Sequence, residues 1–196
     1  MTINTVALTE KSGALFGLHN KIDGCKKCSL YKGNTHYVPG MGTDKAEIMI
    51  VGEAPGATED KLGLPFIGRS GKYLDTLLSL VGLSRERIYI TNIVKCRPPE
   101  NRDPKEVEIK SCKNFLDSQI QIIQPKIIVT LGRFSLAKFL PDAKIAEVHG
   151  IPQNGKVNEP IIFPCYHPAV ALYNPGKRGT LETDFRTLAT LLKTLI

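Results

Sequence analysis

Residues 47–71, EIMIVGEAPGATEDKLGLPFIGRSG, constrain the fold of this chain more than any other stretch. They open on Ile48-Met49-Ile50-Val51, an apolar run short enough and β-rich enough to be a buried parallel strand. The run breaks on Gly52-Glu53-Ala54-Pro55-Gly56, where two glycines allow a sharp backbone turn and close approach to a ligand. A second apolar bend, Leu64-Pro65-Phe66-Ile67-Gly68, follows before a helix that starts near Ser70. A loop leaving the C-terminal end of a first strand is where open α/β sheets bind ligands. The same residues would also serve an ordinary strand-to-helix connection.

The rest of the chain repeats this alternation. Residues 1–24 read as a polar lead-in with a helix over 15–20, and residues 32–43 as a loop. Ser70 is placed to cap a helix whose apolar positions Leu74, Leu77, Leu78 and Val81 recur at helical spacing, with Gly82 at its end. Residues 87–94 read as a second strand, stopped by Lys95-Cys96-Arg97-Pro98-Pro99. Pro104 suits the first turn of a long helix reaching about Gln124, with Asp103 as its expected cap. A third strand at 127–131 and a short helix at 134–140 follow. Residues 145–148 and 161–163 are two further strand candidates around a Gly/Asn/Pro loop. The second of these runs into Cys165-Tyr166-His167-Pro168. A basic loop at 173–179 precedes a last helix striped by Leu181, Phe185, Leu188, Leu192 and Ile196. Strands alternating with helices predict an α/β fold: a three-layer α/β/α sandwich with a central, mainly parallel four-stranded sheet. Residues 1–196 are expected to form one domain.

Composition narrows the class. The chain has 196 residues and ordinary apolar and charged content for a soluble globular protein. It has neither an apolar run long enough to span a membrane nor a signal-peptide pattern, which predicts an intracellular, cytoplasmic protein. A net charge of +7 and a pI near 9.2 favour a polyanionic partner such as DNA or RNA. Five cysteines in such a chain are poor candidates for a disulfide framework, so metal or cluster ligation is the reading to test.

Cys25 and Cys28 form a C-x2-C knuckle, and Cys96 and Cys112 lie far apart in sequence. Structural zinc sites usually present two tight knuckles, which this spacing does not supply. A cubane iron–sulfur cluster accepts four thiolates arriving from separate elements. Cys112 also falls on the apolar face of its helix, where a small core residue would do as well. Cys165 has no partner and reads as a core cysteine. His167 ends a strand just before a proline, which puts it at the same sheet edge as the loop after Val51. Asn92 stands in a strand, where Asn is disfavoured; it either bonds locally or reads a ligand. Phe66 is a core anchor or, if exposed, a platform on which a base stacks. Glu53 is a solvated loop carboxylate or a catalyst.

The motifs GEAPG, GLPFIG, TNIVKCRPPENR and YHPA, in this order and with Cys25, Cys28, Cys96 and Cys112, closely resemble the uracil-DNA glycosylase superfamily. More narrowly, they resemble its iron–sulfur-containing family 4, found in thermophilic archaea and bacteria. The resemblance runs from Cys25 to the last helix. It implies an α/β/α fold, hydrolytic removal of uracil from double- and single-stranded DNA, and a [4Fe–4S] cluster on the four cysteines. It assigns Phe66 to stacking on a flipped base, Asn92 to reading N3–H and O4 of uracil, and His167 to O2. The backbone of Gly52, Glu53 and Ala54 would line the pocket and help place the water. Ala54 stands where the best-known branch has a water-orienting Asp, which makes Glu53 the candidate here. Lys177 and Arg178 are the expected DNA contacts, with Arg178 entering the space the base vacates. A monomer is expected, and recruitment by a sliding clamp or a polymerase stays open. An electron-transfer protein would explain the cysteines alone, and a non-catalytic nucleic-acid-binding module the charge alone.

Overall fold

The computed structural model of the chain describes residues 13–154 and 159–195. Five strands form its sheet: β1 (Met41–Gly42), β2 (Ile48–Gly52), β3 (Tyr89–Asn92), β4 (Ile127–Leu131) and β5 (Ile161–Cys165). Their order is β1-β3-β2-β4-β5. The four longer strands are parallel, and β1 pairs antiparallel to β3 through Met41 and Ile90. Every residue of β2, β3 and β4 is buried, which is why β2 and the start of β4 are continuous apolar runs rather than alternating ones, while β3 ends on the polar Thr91 and Asn92.

The helices are α1 (Gly13–Asp23), α2 (Ala57–Leu62), α3 (Arg69–Leu80), α4 (Glu106–Ile123), α5 (Arg133–Phe139), α6 (Ile145–Val148), α7 (Val170–Tyr173) and α8 (Lys177–Leu195). Successive strand side chains point to opposite faces, so Ile48 and Ile50 meet Leu74, Leu77, Phe185 and Leu188 of α3 and α8. Met49 and Val51 meet Leu15, Ile22, Phe115 and Leu116 of α1 and α4. Two cores on two faces of one sheet make the expected three layers. No described helix is long and apolar enough to cross a membrane.

The chain runs from β2 outward to β3 and then crosses back over β2 to β4. The direction of winding therefore reverses beside the C-terminal end of β2. That is the crevice at which open α/β sheets hold ligands.

Several expectations need correction. The sheet has five strands rather than four, because the two-residue β1 gives no periodic signal. Residues 145–148 form one helical turn instead of a strand, and Gln153 pairs with Ile162 in its place. Residue 103 does not cap α4: the carboxylate of Glu108 reaches back to the Lys105 N–H at 2.7 Å, and Asp103 pairs with Arg133. Ser70 lies inside the first turn of α3 rather than at its cap. Residues 177–179 belong to α8, so the basic loop is shorter than its composition suggested.

Candidate active site

The site is assembled by backbone constraints before any side chain acts. Gly52 ends β2 opposite Asn92, which ends β3. A Cβ on Gly52 would overlap both Asn92 Oδ1 and the Phe66 ring, so its absence lets amide and ring converge. Phe66 adopts a left-handed backbone, φ +51°, which costs a non-glycine residue about 1–3 kcal/mol. Charged groups on both sides of the bend hold it there. Arg85 donates to the carbonyls of Pro65 (3.1 Å) and Phe66, while Glu59 accepts the N–H groups of Ile67 (2.9 Å) and Gly68 (2.7 Å). The Phe66 ring then lies 5.6 Å from the His167 ring, tilted by 30°.

His167 follows β5 and packs against Gly132, whose φ of +91° and missing side chain leave room for it. The Ala169 N–H donates to His167 Nδ1 at 3.1 Å. In the neutral ring that bond makes Nδ1 the acceptor and leaves the proton on Nε2. The ring keeps part of its surface open to the cavity, yet burial pushes its pKa down to about 4, against a smaller opposing pull from Glu59. It is a neutral donor at physiological pH.

These residues line one cavity of about 340 Å³, with Glu53 and Ala54 on one wall and Phe66, Asn92 and His167 around them. Burial pushes the Glu53 pKa up to about 7; Asp103 adds to this and Arg133 opposes it. Asn92 is 1% exposed, and its Oδ1 has no hydrogen-bond partner among the described residues. An unsatisfied buried acceptor costs about 1–3 kcal/mol, so a partner is missing from the protein itself.

The structure thus brings together Gly52, Glu53, Ala54, Phe66, Asn92 and His167. Phe66 is only 5% exposed, so it is a core residue whose ring borders the cavity rather than an open platform. Lys177 and Arg178 lie outside it: Lys177 Nζ sits 4.3 Å over the Tyr166 ring and the Arg178 guanidinium 5.7 Å over Tyr73. Tyr173, 82% exposed, borders the cavity instead. Sequence reasoning missed Tyr173, Glu59 and Arg85. Only Glu59 left a signal, as an acidic residue in the turn after the glycine loop.

A second pocket is lined by Cys25, Cys28, Cys96 and Cys112, walled by Ile22 and Phe115. All four are free thiols. Burial pushes Cys96 up to about 12, and Cys112, Cys28 and Cys25 each push it further, which marks the sulfurs as neighbours. Among the described residues no group of three or more His, Cys, Asp or Glu side chains is drawn tightly enough to hold a single metal ion. Cys165 lies apart, fully buried in the α3/α8 core.

Residues 39–193 match the family model of the Uracil DNA glycosylase superfamily. The chain is 50% identical over 182 residues to a type-4 uracil-DNA glycosylase of Sulfurisphaera tokodaii, covering 89% of this chain and 83% of that one. It is 45% identical to a type-4 uracil-DNA glycosylase of Archaeoglobus fulgidus, over 87% and 89% of the two chains. A crystal structure of Pedobacter heparinus SMUG2 superposes with a TM-score of 0.50 at 12% identity, over 77% of this chain and 76% of that one, a likeness of fold. The chain belongs to the uracil-DNA glycosylase superfamily, in its type-4 branch.

Proposed function

We propose that this protein flips uracil out of DNA, hydrolyses its N-glycosidic bond and leaves an abasic site, acting as a cytoplasmic monomer of one domain. The observation that carries the reading is the unpartnered Oδ1 of Asn92. Uracil N3–H supplies the donor this oxygen lacks, and uracil O4 accepts from the amide nitrogen. Cytosine presents an acceptor and a donor at the same two positions, so both bonds are lost and the polar groups stay unpaired.

The remaining roles follow from the same cavity. Phe66 packs against the flipped base, whose extrusion the enzyme must drive. The neutral Nε2–H of His167 donates to O2, where negative charge collects as the N1–C1′ bond breaks. A donor aimed at developing charge is worth about 10²–10³ in rate. Water adds through its oxygen to C1′, uracil departs with the electron pair of the broken bond, and Glu53 takes the proton released by the water. A carboxylate with a pKa near 7 is matched to that task near neutral pH. Tyr173, at the rim, fills the space the base leaves, with Lys177 and Arg178 at the start of α8 available to phosphates.

We further propose that Cys25, Cys28, Cys96 and Cys112 hold a [4Fe–4S] cluster. Cys25 and Cys28 from one knuckle and Cys96 and Cys112 from two further segments line one pocket, a donor set that fits a cubane cluster. When bound, the cluster supplies a cross-link between the N-terminal knuckle and the segment 96–112.

The test is incubation with uracil-containing oligonucleotides followed by alkali. Strand breaks at uracil and none at cytosine support the reading. Intact strands at uracil overturn it.

A further inference from the structure

Lys95 stands between the two pockets, and no step above uses it. It is 1% exposed, among the largest fully buried side chains in the chain. Its ammonium donates to Thr91 Oγ1 (2.6 Å), to the backbone oxygen of Asn92 (2.6 Å) and to Gln119 Oε1 (2.7 Å). Those bonds use all three of its protons, and every acceptor is neutral. Gln119 is itself fixed by donating to Pro39 O (2.7 Å) and the Tyr89 hydroxyl (2.9 Å), and Thr91 by donating to Pro39 O (2.8 Å). The cage is complete in hydrogen bonds and, among the described residues, lacks an anion.

A buried charge without a counter-charge is costly, by several kcal/mol even after relaxation. Lys95 lines the cysteine pocket and directly precedes Cys96 in the chain. Cys25, Cys28 and Cys112 line the same pocket. The ammonium of Lys95 grips the carbonyl of Asn92. One residue therefore lines the thiol pocket and binds the base-reading residue through its side chain.

We propose that Lys95 is the counter-charge of the cysteine-held cluster and a positioning residue for Asn92. The proposal rests on the cluster reading above. Four thiolates around an iron–sulfur core carry net negative charge, which is what the ammonium cage lacks. The cation in turn stabilises the thiolates, as outer-shell partners of metal ligands do. The bond to the Asn92 carbonyl holds the end of β3, and with it the amide in the cavity. The cluster is thereby read at the uracil pocket through a single side chain.

The experiment uses iron-loaded, anaerobically purified protein and three variants. Lys95→Met keeps length and removes charge. Gln119→Glu keeps an oxygen acceptor for the ammonium, gives up the donations to Pro39 and Tyr89, and adds an anion, so it removes net positive charge by another route if Lys95→Met fails to fold. Lys113→Met removes a lysine exposed on the helix turn beside Cys112 and serves as the control. Lys95→Met is expected to lose its cluster to a chelator about 10–100-fold faster than the parent. Lys95→Met and Gln119→Glu should both move the cluster reduction potential to more negative values, and Lys113→Met should leave it in place. Lys95→Met should also narrow the ratio of uracil to cytosine cleavage. Iron present with parental potential and loss rate in both buried variants overturns the role of Lys95 and leaves the cluster intact. Stoichiometric zinc with no iron overturns the cluster reading itself, and this proposal with it.

Discussion

The two pockets on either side of Lys95 differ in what the protein leaves unfinished. The cavity at the sheet edge is polar and shaped by backbone: two glycines, a left-handed Phe66 and an amide oxygen without a partner. The cysteine pocket is walled by apolar side chains and gathers thiols from chain positions up to 87 residues apart, Cys25 to Cys112. A missing hydrogen-bond donor is what a passing base supplies and takes away. Burial pushes the thiols of Cys28, Cys96 and Cys112 up, and the proposed reading gives that set a resident cluster. On the proposed reading, one site serves turnover and the other holds a permanent group.

The sharpest break in that contrast is at the thiols. Protein purified without air should carry about four irons per chain, and Cys112→Ala should lose nearly all of them along with much of its folded yield. Full metal content in a folded Cys112→Ala protein would remove that ligand from the set. In the other pocket His167→Ala should fold normally and lose about 10²–10³ in rate. The loss should fall on kcat and kcat/KM together, with binding of uracil DNA nearly unchanged, because O2 gains its charge only as the bond breaks. A defect mainly in binding would move His167 out of the transition state.

How far each pocket was legible follows from the same difference. Ile48–Val51 and 127–131 were readable as strands because burial on both faces leaves a continuous apolar signature. Met41–Gly42 was not, since two residues carry no period, and Ile145–Val148 misled because four residues fit either period. Asn92 and His167 stood out as polar residues where strands end. Arg85 and Lys95 did not. Their work is contact across loops: Arg85 grips a bend 19 residues away and Lys95 a glutamine 24 residues away. A lysine followed by Cys-Arg-Pro-Pro gives no sign that it will be buried.

The rim offers a test of a smaller effect. Tyr173 is exposed at the cavity edge, while Arg178 lies over Tyr73. Stacking of a base on an aromatic side chain is worth about 1–3 kcal/mol. Tyr173→Ala should therefore slow cleavage of duplex about tenfold and leave single strands nearly untouched, since flipping from a single strand avoids most unstacking. Arg178→Ala should weaken binding to both and flatten its salt dependence, as loss of a phosphate contact does. A duplex-specific loss in Arg178→Ala, with Tyr173→Ala silent, would return the wedge to Arg178.

The smallest expected effect separates the two titratable groups of the cavity. His167, held at about 4, is neutral above pH 5 and contributes no slope between pH 6 and 8. Glu53, raised to about 7, must be ionised to accept a proton, so activity should rise with pH as its carboxyl loses its own. A group with that pKa is about 10% ionised at pH 6 and half ionised at pH 7, which predicts about a fivefold gain in single-turnover rate across that unit. Burial sets most of the shift, and Asp103 adds repulsion that Arg133 opposes. Removing the repulsion by Asp103→Asn also frees Arg133 from its partner, so both changes favour the carboxylate and move the midpoint to lower pH. Glu53→Gln should abolish the slope. If the rate instead falls through pH 6.5 as pH rises, a protonated histidine is required, and the neutral tautomer set by the Ala169 N–H is not the working form.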